Sequence, residues 1–403
     1  LWKVEPPRHG LLVSDKLDRL IARFGLFARY GKKLALGMLA LIVLCSWYVA
    51  ENLTIDNQVI GYFEEDSRIR QDDAAINAKF GGTTPISVMI ESPQVDAFKD
   101  PALMQAVAKI QERLRERSEV GFTYSVADFV KRLHQVTQDS FAAEQYRLPD
   151  DISGPLLAQY FLLYENANGR DLFDVVDRRF QNGRALAILH TDRSSAVSAV
   201  KQDVLAYAQQ VLPAGMTVRV SGYGEVLVAT TDAVVWGQIN SILSSPALIV
   251  LMVMVMFLSI RLGFVALLPL LFTLVGISAL MALTSTDLDI GTSIIAAITF
   301  GIGIDYAIHV IAAMRHSHGT PQEATQYALL HTGKPILINT LALGLGFLVL
   351  CLSGYQSLVN LGFFIALTML FSALFALLVL PVFVGTRQAP AEVDAAQAEP
   401  ANA

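Results

Sequence analysis

Long apolar runs without charged residues dominate the pattern of hydrophobic and polar positions along this chain. An α-helix needs roughly 20 apolar residues to cross a hydrocarbon core of about 30 Å. Each run is bounded by a turn residue or a charged residue, as expected where a helix leaves the membrane. The pattern predicts a membrane α-helical bundle of six transmembrane helices, at residues 34–50, 242–260, 262–283, 290–314, 336–352 and 358–384.

Residues 51–240 have a different pattern, in which short apolar runs alternate with longer amphipathic segments. The order strand, helix, strand is predicted twice. Two such units predict an inserted α+β ferredoxin-like domain, with strands 86–90, 121–125, 184–190 and 217–220 and helices 101–117 and 194–212. Residues 126–164, between the units, are predicted to be mostly helical and to form either a substrate-facing lobe or a structural cap.

Composition favours membrane insertion. Of the 403 residues, 53% are hydrophobic and only 16% are charged, with a mean hydropathy of +0.47. The net charge of −6 includes no block of Lys or Arg, so no nucleic-acid partner is expected. Cys45 and Cys351 both lie in apolar runs and are expected to pack as small hydrophobic residues.

The sequence contains no pattern that predicts catalysis or metal binding. His190, Asp192 and Ser194 are close along the chain, but they alternate faces at a predicted strand end and lack a nucleophile elbow. No pair of His, Cys or carboxylate residues has metal-ligand spacing. The protein is therefore expected not to be an enzyme and to hold no metal.

Charge in the short loops predicts the orientation, because Lys and Arg are retained on the cytoplasmic side. The predicted loops 284–289 and 353–357 contain neither residue. The positive residues fall on one side if the first span runs outward: Arg29, Lys32, Lys33, Arg261, Arg315, Lys334 and Arg387. This orientation places residues 51–240 outside the cytoplasm, on the periplasmic or equivalent side.

The predicted domain order follows from these assignments. Residues 1–33 form a cytoplasmic amphipathic helix and linker, which lies on the membrane or packs against a preceding part of the protein. The first span, 34–50, leads into the extracytoplasmic domain, 51–240. The other five spans occupy residues 241–385, and residues 386–403 are predicted to be a disordered cytoplasmic tail.

Asp305 is the candidate functional residue, because it is a carboxylate within a predicted span. It lies ten residues before Arg315, roughly 15 Å from the cytoplasmic end of the helix. An ionised Asp there costs about 2.5–3.5 kcal/mol, and it is tolerated where it faces protein or water inside a bundle. Tyr306 follows it, and His309 lies one turn further on the same face, so the three predict a proton relay.

Small and polar residues near Asp305 are predicted to support this site. Gly301 and Gly303 would let a neighbouring helix approach closely. Asn339 and Thr340, on the next predicted span, could hydrogen-bond towards the same interior. The alternatives are that Asp305 is a polar contact between helices and that Asn339 and Thr340 only stabilise packing.

The arrangement of one span, a large domain and five further spans resembles one repeat of the resistance-nodulation-division (RND) superfamily. Within it, the chain is most similar to the MMPL-type predicted exporters. The motif at residues 301–306, Gly-Ile-Gly-Ile-Asp-Tyr in the fourth span, carries most of the resemblance. Weaker matches are Asp66-Ser67, Phe80-Gly81-Gly82, Ser221-Gly222, Gly362 and Pro381.

The resemblance implies a C-terminal repeat of a transporter with two repeats. Such proteins export lipids, hydrophobic compounds or drugs at the expense of the proton gradient, so protons would be the coupling ion and no other cofactor is expected. Asp305 and Tyr306 would form half of a relay completed by the N-terminal repeat. The antibiotic-efflux branch uses a membrane lysine, whereas no lysine falls in the predicted spans.

Several alternatives stay open at this point. The chain begins with Leu1 and is expected to be a piece of a longer protein, although a native half-size protein that forms homo-oligomers is also possible. The expected location is the bacterial inner membrane. A lipid sensor resembling sterol-sensing domains, which binds lipid without transporting it, is the alternative function.

Overall fold

The computed structural model describes residues 31–138, 146–167, 169–317 and 320–384. The chain divides into two units. The sheet unit is Ile55–Val234, and the helical unit combines Leu1–Thr54 with Val235–Ala403. The predicted amphipathic helix before residue 31 and the predicted tail 386–403 lie outside the described residues.

The helices and strands are numbered in chain order. The helices are α1 (Gly31–Asn52), α2 (Arg68–Phe80), α3 (Pro101–Arg115), α4 (Val126–Thr137), α5 (Gly154–Asn166), α6 (Ser194–Val211), α7 (Tyr223–Phe257), α8 (Ile260–Leu283), α9 (Ile290–His316), α10 (Pro321–Leu348) and α11 (Gln356–Val384). The strands are β1 (Thr84–Glu91), β2 (Val120–Tyr124), β3 (Asn182–Leu189) and β4 (Thr217–Ser221). Short 3₁₀ helices lie at Ile60–Tyr62, Ala97–Lys99, Arg170–Asp174 and Val349–Leu352.

The sheet unit contains a four-stranded antiparallel sheet in the order β2-β3-β1-β4. Alternate residues of β3 are buried, as expected for a strand with one face on a core. The inward side chains of β1, including Ile86 and Val88, share that core with Val107 of α3 and Val200 of α6. The four predicted strands and the two helices between them are confirmed.

In the helical unit, five helices are long and apolar enough to cross a membrane: α7, α8, α9, a segment of α10 extended to Leu352, and α11. They contain five of the six predicted spans. The first predicted span lies within α1, whose apolar segment Leu36–Asn52 is shorter than the other five. The described residues therefore support a membrane helical protein with five helices that could span the membrane, and the number six stays a prediction.

Helix α10 begins earlier than predicted. The sequence suggested a loop up to Pro335, whereas the helix begins at Pro321 and continues through Pro335. Thr320 and Glu323 form a capping box, in which each side chain accepts a hydrogen bond from the other residue's N–H. Lys334, predicted to lie in a loop, is thus inside a helix, although it still precedes the predicted span 336–352.

The boundary between α7 and α8 also differs from the prediction. The predicted spans 242–260 and 262–283 place the turn at Arg261, but α7 ends at Phe257 and α8 begins at Ile260. Gly263 allows close helix packing, since a Cβ atom there would lie 2.8 Å from the carbonyl oxygen of Val250. Helix α7 begins at Tyr223 rather than near residue 242, and its first turns, in which Leu227 and Val228 are buried, belong to the sheet unit.

Candidate functional site

Asp305 lies in the middle part of α9. Asp289 caps the N-terminus and exchanges hydrogen bonds with Thr292 in a capping box. Most residues of the following turns are apolar, and Asp305 and His309 are ionisable exceptions among them. The Nε2 atom of His309 lies 3.5 Å from Oδ1 of Asp305, and both side chains are 61% exposed. The structure thus pairs an acid and an imidazole one helical turn apart.

Asp305 belongs to a continuous exposed stripe on α9, which we name the Asp305 face. Its members recur every three or four residues and therefore lie on one side of the helix. They are Ile294, Ala297, Gly301, Asp305 and His309, all exposed. A Cβ atom added at Gly301 would have no neighbour within 4 Å. No described helix of this chain covers this face.

This position corrects two expectations. Asp305 was expected to face the interior of the bundle, but in this chain its side chain points away from the helices that pack against α9. Gly301 was expected to contact a neighbouring helix, and it has none nearby. The cause is the orientation of α9 about its own axis. The sides of the helix that carry Ala307 and Val310 face the buried core of the helical unit, and Asp305 lies on another side.

Gly303 lies on a packed side of the helix. A Cβ atom there would lie 3.2 Å from Cγ of Leu270 and 3.2 Å from Oγ of Ser372. Most Cβ atoms have no contact that short, so a side chain at this position would require Leu270 or Ser372 to shift. Gly303 thus allows close packing with both helices.

Tyr306 points into the packed core, away from Asp305. Its side chain is only 1% exposed. Its hydroxyl oxygen accepts hydrogen bonds from Oγ1 of Thr340 at 3.2 Å and from Nδ2 of Asn339 at 3.3 Å. The predicted relay residues therefore form two groups: Asp305 with His309 on the open face, and Tyr306 with two residues of α10 inside. No hydrogen bond joins Asp305 to Tyr306 among the described residues.

Tyr306→Phe is expected to loosen the contact between α9 and α10 by about 1–2 kcal/mol, because the polar groups of Thr340 and Asn339 lose their acceptor. Thermal unfolding of the full chain in detergent should show a lower midpoint. Tyr327→Phe removes a hydroxyl from a side chain that is 39% exposed, and should leave the midpoint unchanged. Equal midpoints for both variants would contradict this role of Tyr306.

No hydrogen bond joins the side chains of His190, Asp192 and Ser194 among the described residues. Oδ2 of Asp192 accepts a hydrogen bond from the N–H of Ile60 at 2.8 Å. The hydroxyl of Ser194 donates to Oδ1 of Asp56 at 3.0 Å. These contacts attach the segment after Thr54 to the start of α6, so their role is structural. Asp56 was not identified from the sequence, because the residues that it contacts, such as Ser194, lie far along the chain.

Asp192 should make this attachment sensitive to pH. Burial raises the pKa of its carboxyl group, although the N–H of Ile60 acts in the opposite direction. The folded arrangement that buries Asp192 is therefore most stable below the unfolded pKa of about 3.9 and loses stability as pH rises through the raised pKa. In the full chain, hydrogen exchange of residues 57–62, corrected for intrinsic rates, should be faster at pH 7.5 than at pH 4.5. Asp192→Asn should remove that difference, and its persistence would contradict the assignment.

The described residues contain no group of three or more His, Cys, Asp or Glu side chains that could hold a metal ion.

Two comparisons with known proteins bear on this arrangement. The model of the MMPL family matches residues 64–395. A protein of Methanocaldococcus jannaschii, named as a membrane protein, is 21% identical over 391 residues, covering 93% of this chain and 95% of the relative.

Proposed function

Because the chain belongs to the MMPL family of membrane proteins, we propose that it exports lipid or another hydrophobic small molecule and is driven by the proton gradient. The observation that carries the proposal is the carboxylate of Asp305 within an apolar helix, with the imidazole of His309 at 3.5 Å. Ionisable residues inside spanning segments are costly, and they commonly serve ion pathways and proton relays.

Proton binding at Asp305 couples the proton gradient to a change of conformation. The ionised carboxylate and the protonated acid differ in how readily they accept an apolar surrounding. Protonation therefore favours the conformation in which the Asp305 face is covered by apolar groups, and ionisation favours one with water or His309⁺ beside it. A ligand shifts a conformational equilibrium only through such a difference in affinity.

The open Asp305 face supports the proposal that a second helical unit completes the site. In hydrocarbon, an uncovered Asp would cost about 2.5–3.5 kcal/mol even on the lenient insertion scale. Ala297 and Gly301 leave room for another helix to approach closely. The covering unit is the other repeat of the same transporter or a second copy of this chain. The relative is matched over 95% of its length, so it is about as long as this chain, which is compatible with a second copy.

The same proposal includes the finer architecture. The strand order β2-β3-β1-β4, with two strand–helix–strand units, supports a ferredoxin-like domain. The apolar part of α1 supports a sixth span. The positive residues near helix ends support a cytoplasmic membrane with the sheet unit on the outer side. Transport without covalent chemistry requires no enzymatic group, metal or cofactor besides protons.

Vesicles that contain the full-length protein would test this function. A phospholipid with a fluorescent nitrobenzoxadiazole label serves as the probe, with an imposed proton gradient and with the gradient collapsed by a protonophore. We expect export of the probe only while the gradient exists. Binding of the probe without gradient-dependent export would overturn the proposal and favour a lipid sensor resembling sterol-sensing domains.

A further inference from the structure

Helix α7 ends in a defined cap next to α9. The N–H of Ser259 donates to the carbonyl oxygen of Met254 at 3.2 Å, which is the 6→1 hydrogen bond of a Schellman motif. Between them, Leu258 has a φ of 51°, a left-handed conformation that is uncommon for a residue with a side chain. Its side chain is 91% exposed, so packing of Leu258 does not hold the turn in place.

Arg315, on α9, holds the end of α7. Its Nη1 atom donates a hydrogen bond to the carbonyl oxygen of Phe257 at 2.7 Å. Its guanidinium carbon also lies 5.7 Å from the centre of the Phe257 ring. A carbonyl in the last turn of a helix has no intrahelical partner, so a cation there is favoured both as a donor and by the helix dipole.

The rest of α7 in the helical unit is attached weakly. Leu243 is 71% exposed and Leu248 is 68% exposed. The buried side chains that join α7 to the core of the unit are Ile249, Val253 and Phe257, all near its end. The contact with Arg315 therefore lies where α7 meets the other helices.

We propose that Arg315 is a positioning residue that transmits movement of α9 to α7. Asp305 and Arg315 lie on the same helix, roughly 15 Å apart along its axis, so a shift of α9 at Asp305 also moves Arg315. The chain passes from the sheet unit into the helical unit through α7, which is a continuous helix of 35 residues. The arginine thus connects the proton site to the helix that leads to the sheet unit. This inference rests on the proposed function of Asp305.

Arg261 provides a matched comparison within the same protein. Its Nη2 atom donates to the carbonyl oxygen of Phe383 at 3.1 Å, near the end of α11. Both arginines therefore bind a carbonyl near a helix C-terminus, but only Arg315 binds α7. If loss of any such hydrogen bond disturbed the helices, variants of both arginines should show the effect. Transmission of movement from α9 to α7 should depend on Arg315 alone.

The test is hydrogen exchange of the last turns of α7, residues 250–259, in the full-length protein at one fixed pH. Asp305→Asn imitates the protonated state, and it is combined with each arginine variant. We expect Asp305→Asn to change exchange in α7 of the otherwise native protein. That response should be lost with Arg315→Met, kept with Arg261→Met and kept with Arg315→Lys, which retains a cationic donor. Arg315→Gln is a second loss variant, so the test does not depend on one substitution folding.

The outcomes separate this inference from the proposed function. A response to Asp305→Asn that survives in both Arg315→Met and Arg315→Gln would overturn the role of Arg315. The role of Arg315 would also be overturned if Asp305→Asn caused no change in exchange in the otherwise native protein. The same holds if Arg261→Met removed the response as well. Failure of the proposed function would instead appear as native vesicles that do not export the labelled phospholipid, which is measured independently of exchange.

Discussion

Asp305→Asn is expected to reduce gradient-driven export of the labelled phospholipid to the level of protein-free vesicles. The amide has nearly the shape of the carboxyl group but cannot gain or lose a proton under these conditions, so the coupling step is removed. Insertion should not suffer, because a neutral side chain costs less than a carboxylate in the middle of a span. The measurement is the initial export rate at matched amounts of inserted protein.

Asp232→Asn is the matched control for this prediction. Asp232 is an exposed carboxylate on α7, and its replacement changes the net charge by the same amount. We expect this variant to export at the native rate. If Asp305→Asn also exports at the native rate, then Asp305 does not couple export to the proton gradient.

Gly82→Ala is expected to destabilise the sheet unit by about 3–5 kcal/mol, from backbone strain together with a steric overlap. Gly82 has a φ of 140°, which a residue with a side chain rarely adopts. A Cβ atom there would lie 2.3 Å from the carbonyl oxygen of Leu189. The same oxygen accepts the hydrogen bond of the Thr83 N–H at 3.1 Å, so relief of the overlap would break the pairing of β1 with β3.

Thermal unfolding of the full chain in detergent would measure this effect. For a unit of this size, the predicted loss corresponds to a decrease of about 10 °C in the midpoint of the sheet unit. Gly215→Ala separates the two causes, because Gly215 has a φ of 89° and open space around it. It should lower the midpoint by only about 3 °C, from backbone strain alone. If both variants lowered the unfolding midpoint by a similar amount, the steric overlap at Leu189 would contribute nothing to the destabilisation by Gly82→Ala.

The sequence predicted the position of the candidate site along the chain but not which of its side chains contact each other. Asp305 was identified because a carboxylate in an apolar run is a strong local signal. Asn339 and Thr340 were predicted to support a relay at Asp305, but in the structure they bond to the hydroxyl of Tyr306 in the core. Consecutive residues on a helix point about 100° apart, so Asp305 and Tyr306 face different surroundings although they are adjacent in the chain.

The sequence by itself determined where apolar helices and strands occur, because hydrophobic periodicity and run length are local properties of the chain. It also placed Asp305 at the middle of α9. Only the tertiary structure decided which side of α9 is packed, because that depends on contacts such as Gly303 with Leu270 and Ser372. It likewise decided that Arg315 binds the end of α7, since a hydrogen bond between residues far apart leaves no pattern in the local sequence.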